Sequence, residues 1–309
     1  MTFVLELGDV RIHQVTEVDR WTFPPTSLFP AVSDSMVRRA SQILVDPLVD
    51  GDTADLVLAI HTYVVELGDH IVLIDAGNGN GKQRPNLLPH HMLETDYLRR
   101  LAAAGFTPDD IDIVIPTHLH PDHCGGATTE VEGVWVPTFA KATHLFSAAD
   151  LTWLQSLSAA EGLDGIAADL AQTFADSVRP IVDTASWCTV TDGDVVAAHG
   201  DSSLVVRSLP GHTGGHLALE LRTGHGGALF TGDAVHHPIQ LIYPQLSQAG
   251  DADPELAQQS RQAFLQRCAA EQFYLLTAHF AVDAAVRVEH DQDGRPVVRD
   301  VLRDGATDV

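Results

Sequence analysis

The sequence predicts an α/β fold with a two-sheet core and helices packed outside it. Three observations carry that reading. Short β-branched and aliphatic runs fall into two blocks, each block is followed by a segment of helical spacing, and no motif recurs at a fixed short period. Strands with one apolar face must bury it, and two blocks of them close most simply as sheet against sheet. At 309 residues and 45% hydrophobic composition the chain can fill one large core, so it reads as a single domain over 1–309.

Taken in order, residues 2–16 hold FVLEL and VRIHQV, which alternate apolar and polar positions about a Gly-Asp turn and so predict a hairpin. Residues 20–55 break the pattern with four prolines, three aromatics and no sustained period. They read as a long ordered loop or lid over a pocket, with a surface insertion as the alternative. HTYVVELGDHIVLIDAG predicts a second, buried hairpin about Gly68-Asp69, ending at the small turn Asp75-Ala76-Gly77. LETDYLRRLAAAG has helical spacing and stops at Gly105, and IDIVIP is a buried strand that runs into a polar loop from Thr117. Residues 147–177 are Ala- and Leu-rich with Asp150 near the start, the pattern of one or two helices. Residues 187–233 return to short strands between Asp-Gly, Pro-Gly and Gly-Gly turns. A helix over 254–270, the strand FYLLTA and a hairpin turned at Asp293-Gly294 close the chain.

Charge narrows the functional classes. The formal charge of −24, from 18 Lys+Arg against 42 Asp+Glu, repels phosphate backbones and anionic membranes, and the basic residues are scattered. Neither nucleic acid nor a membrane is expected as a partner. No apolar run approaches the roughly 18 residues of a membrane helix, and residues 1–10 lack the basic and apolar regions of an export signal, so a cytoplasmic location is expected. Cys124, Cys188 and Cys268 stand far apart and form no zinc-knuckle pair or disulfide framework. They read as reduced thiols. A small-molecule substrate remains as the expected partner, and a homodimer is compatible with the sequence.

The outlying count is 17 His, and four metal-competent side chains fall within six residues in Thr117-His118-Leu119-His120-Pro121-Asp122-His123, directly after the apolar strand at 111–115. Extended backbone puts His118 and His120 on one face, and a turn at Pro121 brings Asp122 and His123 round from another direction, so one segment can serve two ions. Two ions need further ligands. His212, Asp233 and His279 each follow an apolar strand downstream and can converge on one edge of the core. A carboxylate can bridge two ions about 3.5–4 Å apart, and neutral imidazoles suit zinc, manganese, iron or cobalt.

THLHPDH, PGHTGGH, TGD and AHF stand in the order of the metallo-β-lactamase-fold hydrolases, and the chain resembles that family over about residues 60–280. The resemblance implies a four-layer αβ/βα sandwich of two mixed sheets with helices outside. It also implies that His118, His120 and His212 hold one divalent ion, that Asp122, His123 and His279 hold a second, and that Asp233 bridges them. Zinc is the first choice, with Mn2+, Fe2+ or Co2+ as alternatives. Asp75 in VLIDAG matches an acidic residue behind the metals that hydrogen-bonds a ligand histidine, with a turn cap as its other use. His216 would likewise sit behind the metals, or else simply start a strand.

Within the family the ligand set separates branches. Oxygen-reducing di-iron members carry Glu where this chain has His120, and class B lactamases usually lack the aspartate supplied here by Asp233. The chain is most similar to the lactonase and methyl-parathion-hydrolase-like branch, particularly in GDAVHHPIQ. Lactonases of that branch usually place a tyrosine three residues after the bridging aspartate, where this chain has His236.

The expected activity is a binuclear hydrolase of a small neutral ester, a lactone or carboxylic ester first. A metal-bridging hydroxide would attack, Asp122 or a metal-bound water would handle the proton, and His236 would hydrogen-bond the substrate or tetrahedral intermediate. Phosphotriester hydrolysis is the alternative reaction, and a metal-binding sensor or scaffold the non-catalytic one. Trp21, Phe23, Leu28 and Phe29 are the expected apolar substrate wall, with ordinary core packing as their alternative. His237 is expected to pack or face solvent, and Cys124 to be a buried small residue.

Overall fold

The computed structural model describes residues 3–43, 48–281, 284–290 and 296–303. β-Branched runs about tight turns form the first strands, Val4–Leu7 (β1), Val10–Phe23 (β2), Leu56–Leu67 (β3) and His70–Ile74 (β4), all antiparallel to their neighbours. Ile113–Ile115 (β5) then adds parallel to β4. A small separate hairpin, Thr128–Val131 (β6) and Val134–Pro137 (β7), precedes Thr143–Ser147 (β8) and Ser186–Val190 (β9), which extend the sheet in parallel. The resulting order is β1-β2-β3-β4-β5-β8-β9.

The second sheet is sequential: Val195–His199 (β10), Ser202–Ser208 (β11), Leu217–Thr223 (β12), Gly226–Phe230 (β13), Tyr274–Leu276 (β14), Ala284–His290 (β15) and Pro296–Arg303 (β16). β13 and β14 run parallel because helix Pro254–Glu271 carries the chain back between them. Both sheets are therefore mixed, as the family resemblance implies.

Alternation along β3 and β4 sorts side chains between two cores. Tyr63, Val65, Val72 and Ile74 pack between the sheets against Leu219, Leu221, Phe230 and Leu276. Val64 and Leu73 point outward onto Tyr97, Leu101, Leu151 and Phe174 of the helical layer. On the other sheet Leu229 and Leu275 face Phe264 and Leu265 of the 254–271 helix. The layers run helix, sheet, sheet, helix.

The structure corrects several boundaries. Residues 20–55 are not a loop throughout: β2 runs through Phe23, and helices occupy Pro25–Leu28 and Asp34–Ile43. Register shifts in β2 between Thr16 and Val18, and between Val18 and Trp21, disrupt the alternation that would have revealed the strand. Residues 44–47 and the expected turn at Asp293-Gly294 lie outside the described residues. Helical structure from 148 continues past 177 as far as Thr184, through a π turn at Phe174–Val178. No described helix is long and apolar enough to cross a membrane.

The loops that leave the C-terminal ends of β4, β5, β13 and β14 bring Asp75, His118, Asp233 and His279 together, the position where strand-end loops of α/β sheets carry chemistry. The β5 loop is clamped by backbone contact. A Cβ on Gly125 would lie 1.9 Å from the Asn78 carbonyl oxygen, and one on Gly126 2.1 Å from that of Ala76. Gly125→Ala is expected to cost about 2–3 kcal/mol by forcing these backbones apart. Gly51→Ala, which meets nothing within 4 Å, should stay within roughly 0.5 kcal/mol of the parent. Denaturant melts of the two variants check the contrast.

Candidate metal centre

His120 is extended (φ −77°, ψ 160°) and Pro121 starts a short helical turn over Pro121–Cys124, so the HLHPDH segment changes direction midway. That turn separates its side chains into two groups. The ligand atoms of His118, His120, His212 and Asp233 lie within 4.8 Å of one another, and so do those of Asp122, His123 and His279. Asp233 stands between the groups. Its Oδ1 lies 3.0 Å from His123 Nε2 and 2.9 Å from His279 Nε2, and its Oδ2 lies 3.2 Å from His212 Nε2 and 3.8 Å from His118 Nε2. His236 Nε2 is 3.0 Å from the same Oδ2, and Asp233, His236 and His279 form a third group of suitable ligand atoms.

Buried partners aim these groups. Asp75, in the left-handed region at φ +58°, accepts from the Thr117 backbone N–H at 2.7 Å and places Oδ2 2.9 Å from His123 Nδ1. His279 Nδ1 donates to the Ala59 carbonyl at 2.9 Å. His216 is wholly buried behind Asp233: its Nδ1 donates to the Leu209 carbonyl at 3.1 Å, and its Nε2 accepts the Asp233 backbone N–H at 3.0 Å. Two carboxylates outside the sequence expectation complete the frame. Asp251 Oδ1 lies 2.9 Å from His212 Nδ1, and Asp150 accepts from the Thr213 hydroxyl and the Gly215 N–H, both at 2.8 Å, pinning the His212 loop to the Ala148–Ser158 helix.

The donor set fits divalent cations. Buried polar atoms ordinarily find hydrogen bonds, yet His118 Nε2, His123 Nε2, Asp233 Oδ1 and both ring nitrogens of His236 make none. Burial first and the neighbouring His212 next push His120 down to about 3, toward the neutral imidazole a metal requires. Burial works against ionisation of Asp122, but His90, His123 and His279 outweigh it and hold the carboxyl at about 2. His120 Nδ1 and His212 Nε2 approach to 2.9 Å, both turned toward the same space.

The cluster forms the floor of a cavity of about 320 Å³ lined by His120, Asp122, His212, Asp233, His236 and His279 below, with Trp21, Phe23, Leu28, Leu58, Leu87 and His90 among its walls. Three of the four expected wall residues are there. Phe29 is not: it is fully buried beneath the wall in a cluster with Val32, Ala40 and Ile239, because the Pro25–Leu28 helix turns Leu28 toward the cavity and carries the chain inward at Phe29. His237 is buried with Nε2 3.0 Å from the Leu48 carbonyl. Cys124 is buried, and its thiol is pushed up to about 12 by that burial. His90, Asp251 and Asp150 were missed by sequence reasoning, since none stands in the ligand motifs.

Residues 55–279 match the metallo-beta-lactamase superfamily. The chain belongs to that superfamily. Among relatives of this superfamily member, a probable metallo-hydrolase of Mycobacterium tuberculosis is 27% identical over 191 residues, covering 59% of this chain and 58% of the relative. The N-acyl homoserine lactonase AiiB of Agrobacterium fabrum is 27% identical over 133 residues, covering 40% of this chain and 41% of that protein. The chain thus spans less than two thirds of the length of these curated relatives. Among solved structures, the hydrolase AbOPH of the beta lactamase superfamily superposes with a TM-score of 0.79 at 22% identity, covering 99% of this chain and 98% of that one. The dizinc quorum-quenching lactonase AidC gives 0.74 at 18% identity, with the same coverage. At these identities the likeness is one of fold. The superfamily is metal-dependent, and the two groups described above suit metal binding.

Because Asp251 fixes the ring of His212, Asp251→Asn is expected to weaken zinc binding by roughly 10–100-fold while leaving secondary structure intact. Competition against a chromophoric chelator gives the affinity, and circular dichroism checks the fold.

Proposed function

We propose that this chain is a binuclear metal-dependent hydrolase of a small neutral ester, with lactones and carboxylic esters as the substrate class. The observation that carries the reading is Asp233, which turns one oxygen toward each of two ligand groups at the floor of a cavity with apolar walls. His118, His120 and His212 would hold one ion, Asp122, His123 and His279 the other, and Asp233 both. When bound, two divalent ions supply an activated water at neutral pH and a Lewis acid for the carbonyl oxygen.

The chain's own residues do the rest. Trp21, Phe23, Leu28 and Leu58 exclude water and hold an apolar substrate over the ligand groups. His236, whose ring nitrogens have no hydrogen bond within the fold, donates to the carbonyl oxygen as negative charge develops on it. Asp122 lines the cavity and takes the proton released as water adds to the carbonyl carbon. The C–O bond then breaks, the proton passes to the departing alkoxide, and a lactone leaves as its hydroxy acid. No protein nucleophile is used. The names of the lactonases above support this reading, and phosphotriester hydrolysis at the same centre is the competing outcome.

Two expectations follow from the ligand geometry. Protein reconstituted with zinc should hold close to two ions per chain by elemental analysis, and Asp233→Asn should lower that number. One ion or fewer in the parent, with a silent Asp233→Asn, removes the binuclear centre.

His236→Phe should retain its zinc and lower kcat on a lactone by roughly 10²–10³, the range for loss of an oxyanion donor. His236→Tyr separates the substrate classes. The longer phenol still reaches a flat carbonyl but crowds a tetrahedral phosphorus, so lactone turnover should survive while any aryl phosphotriester activity falls. Rates for one lactone, one aryl ester and one phosphotriester decide between them, and equal loss of all three would make His236 a packing residue.

A further inference from the structure

His236 bears the same mark as the expected ligands yet belongs to neither of their two groups. The residue is 3% exposed, and neither ring nitrogen has a hydrogen bond. Nε2 comes within 3.0 Å of Asp233 Oδ2, near enough for a hydrogen bond but not aligned as one. His118 Nε2, His123 Nε2 and Asp233 Oδ1 show the same combination, each buried, close to other ligand atoms and unpaired. Close approach without alignment is what lone pairs directed at a common point produce, and a cation at that point satisfies them.

The ligand atoms of Asp233, His236 and His279 lie within 4.8 Å of one another. His279 serves both this group and that of Asp122 and His123: its Nε2 is 3.6 Å from Asp122 Oδ2 and 2.9 Å from Asp233 Oδ1. The His236 and His279 rings stack with an interplanar angle of 14° and centroids 5.6 Å apart, so both present Nε2 to one carboxylate. Asp233, His236 and His279 all line the cavity.

Support behind the rings ranks the two positions. His123 Nδ1 meets Asp75, and His279 Nδ1 meets the Ala59 carbonyl, the arrangement that orients a ligand imidazole and raises its basicity. His236 Nδ1 has no such partner among the described residues. Only the backbone beside the ring is fixed, by the His236 N–H on Gln240 Oε1 at 2.7 Å. The position that uses His236 is therefore the weaker one.

We infer that Asp233, His236 and His279 form an alternative position for the second ion, in which His236 gives up its role toward substrate and becomes a ligand. The inference rests on the two-ion part of the reading above and deepens it. Ligation through Nε2 uses the lone pair of that nitrogen and closes it to substrate. Asp122 and His123 thus do more than bind: by holding the ion in the stronger position they keep His236 free.

The test compares the metal content of the parent, His123→Ala, His236→Phe and the double variant. Elemental analysis after reconstitution counts zinc, and chelator competition gives the affinity for the second ion. His123→Ala should keep close to two ions, the second held more weakly than in the parent. His236→Phe alone should change the second-ion affinity by less than about twofold, whereas in the His123→Ala background it should weaken it by at least roughly tenfold. With cobalt(II) in place of zinc, the visible band of the second ion should survive in His123→Ala and in His236→Phe and be lost in the double variant. Circular dichroism checks folding, and Asp122→Ala, which removes the other unshared ligand, replaces His123→Ala if that variant does not fold.

A folded His123→Ala protein that holds only one ion, or one whose second-ion affinity ignores His236→Phe, overturns the inference and leaves the binuclear hydrolase standing. One ion or fewer in the reconstituted parent overturns both. Two ions in the parent without turnover of any ester overturn the ester reading alone, and the metal comparison still decides the role of His236.

Discussion

Asp233 is a carboxylate buried among imidazoles, and the positions of its two oxygens organise the surrounding fold. Each oxygen faces a different group of ring nitrogens, so neither group can shift without misplacing the other. The groups come from both sheets. His118, His120, Asp122 and His123 follow β5 of the first sheet, and His212, Asp233 and His279 follow β11, β13 and β14 of the second. Sheet-on-sheet packing therefore sets the spacing of these metal-competent side chains directly.

The two sheets are stitched together where that spacing is set. Beyond its pairing with β2 and β4, β3 meets the segment after β14: the Ala59 N–H donates to the His279 carbonyl at 3.0 Å, and the His61 N–H to the Ala278 carbonyl at 2.9 Å. The Tyr63 hydroxyl adds a bond to the Thr277 carbonyl at 2.7 Å. His279 is thereby held by the backbone of one sheet while it extends from the other. Asp75, Asp150, Asp251 and His216 give the remaining histidines, or the backbone beside them, comparable support, so that much of the buried polar surface around the centre serves orientation.

Around this rigid floor the 20–55 segment has a double role. Leu28 and, at the end of β2, Trp21 and Phe23 face the cavity, while Phe29, Val32 and Ala40 anchor the segment in a core of their own with Ile239 and Leu246. An overall charge of −24 surrounds a pocket whose walls are largely apolar, which is consistent with a neutral substrate better than with a polyanion.

The sequence by itself marked the metal-competent side chains that the fold brings together and, through the family resemblance, the layer architecture. HLHPDH is compact enough for local geometry to divide its side chains between two groups, and apolar runs mark β3, β4 and β11–β13. Tertiary structure decided what depends on distant segments meeting. Asp251 reaches His212 across 39 positions, and Glu17 reaches Asn78 across 61, and no local pattern records either contact. The bulges of β2 concealed a strand and at the same time delivered Glu17 inward. Phe23 and Phe29 look alike as aromatics in a proline-rich stretch, yet only the packed fold assigns one to the cavity and the other to the core, because facing is fixed by the neighbours each side chain meets on burial.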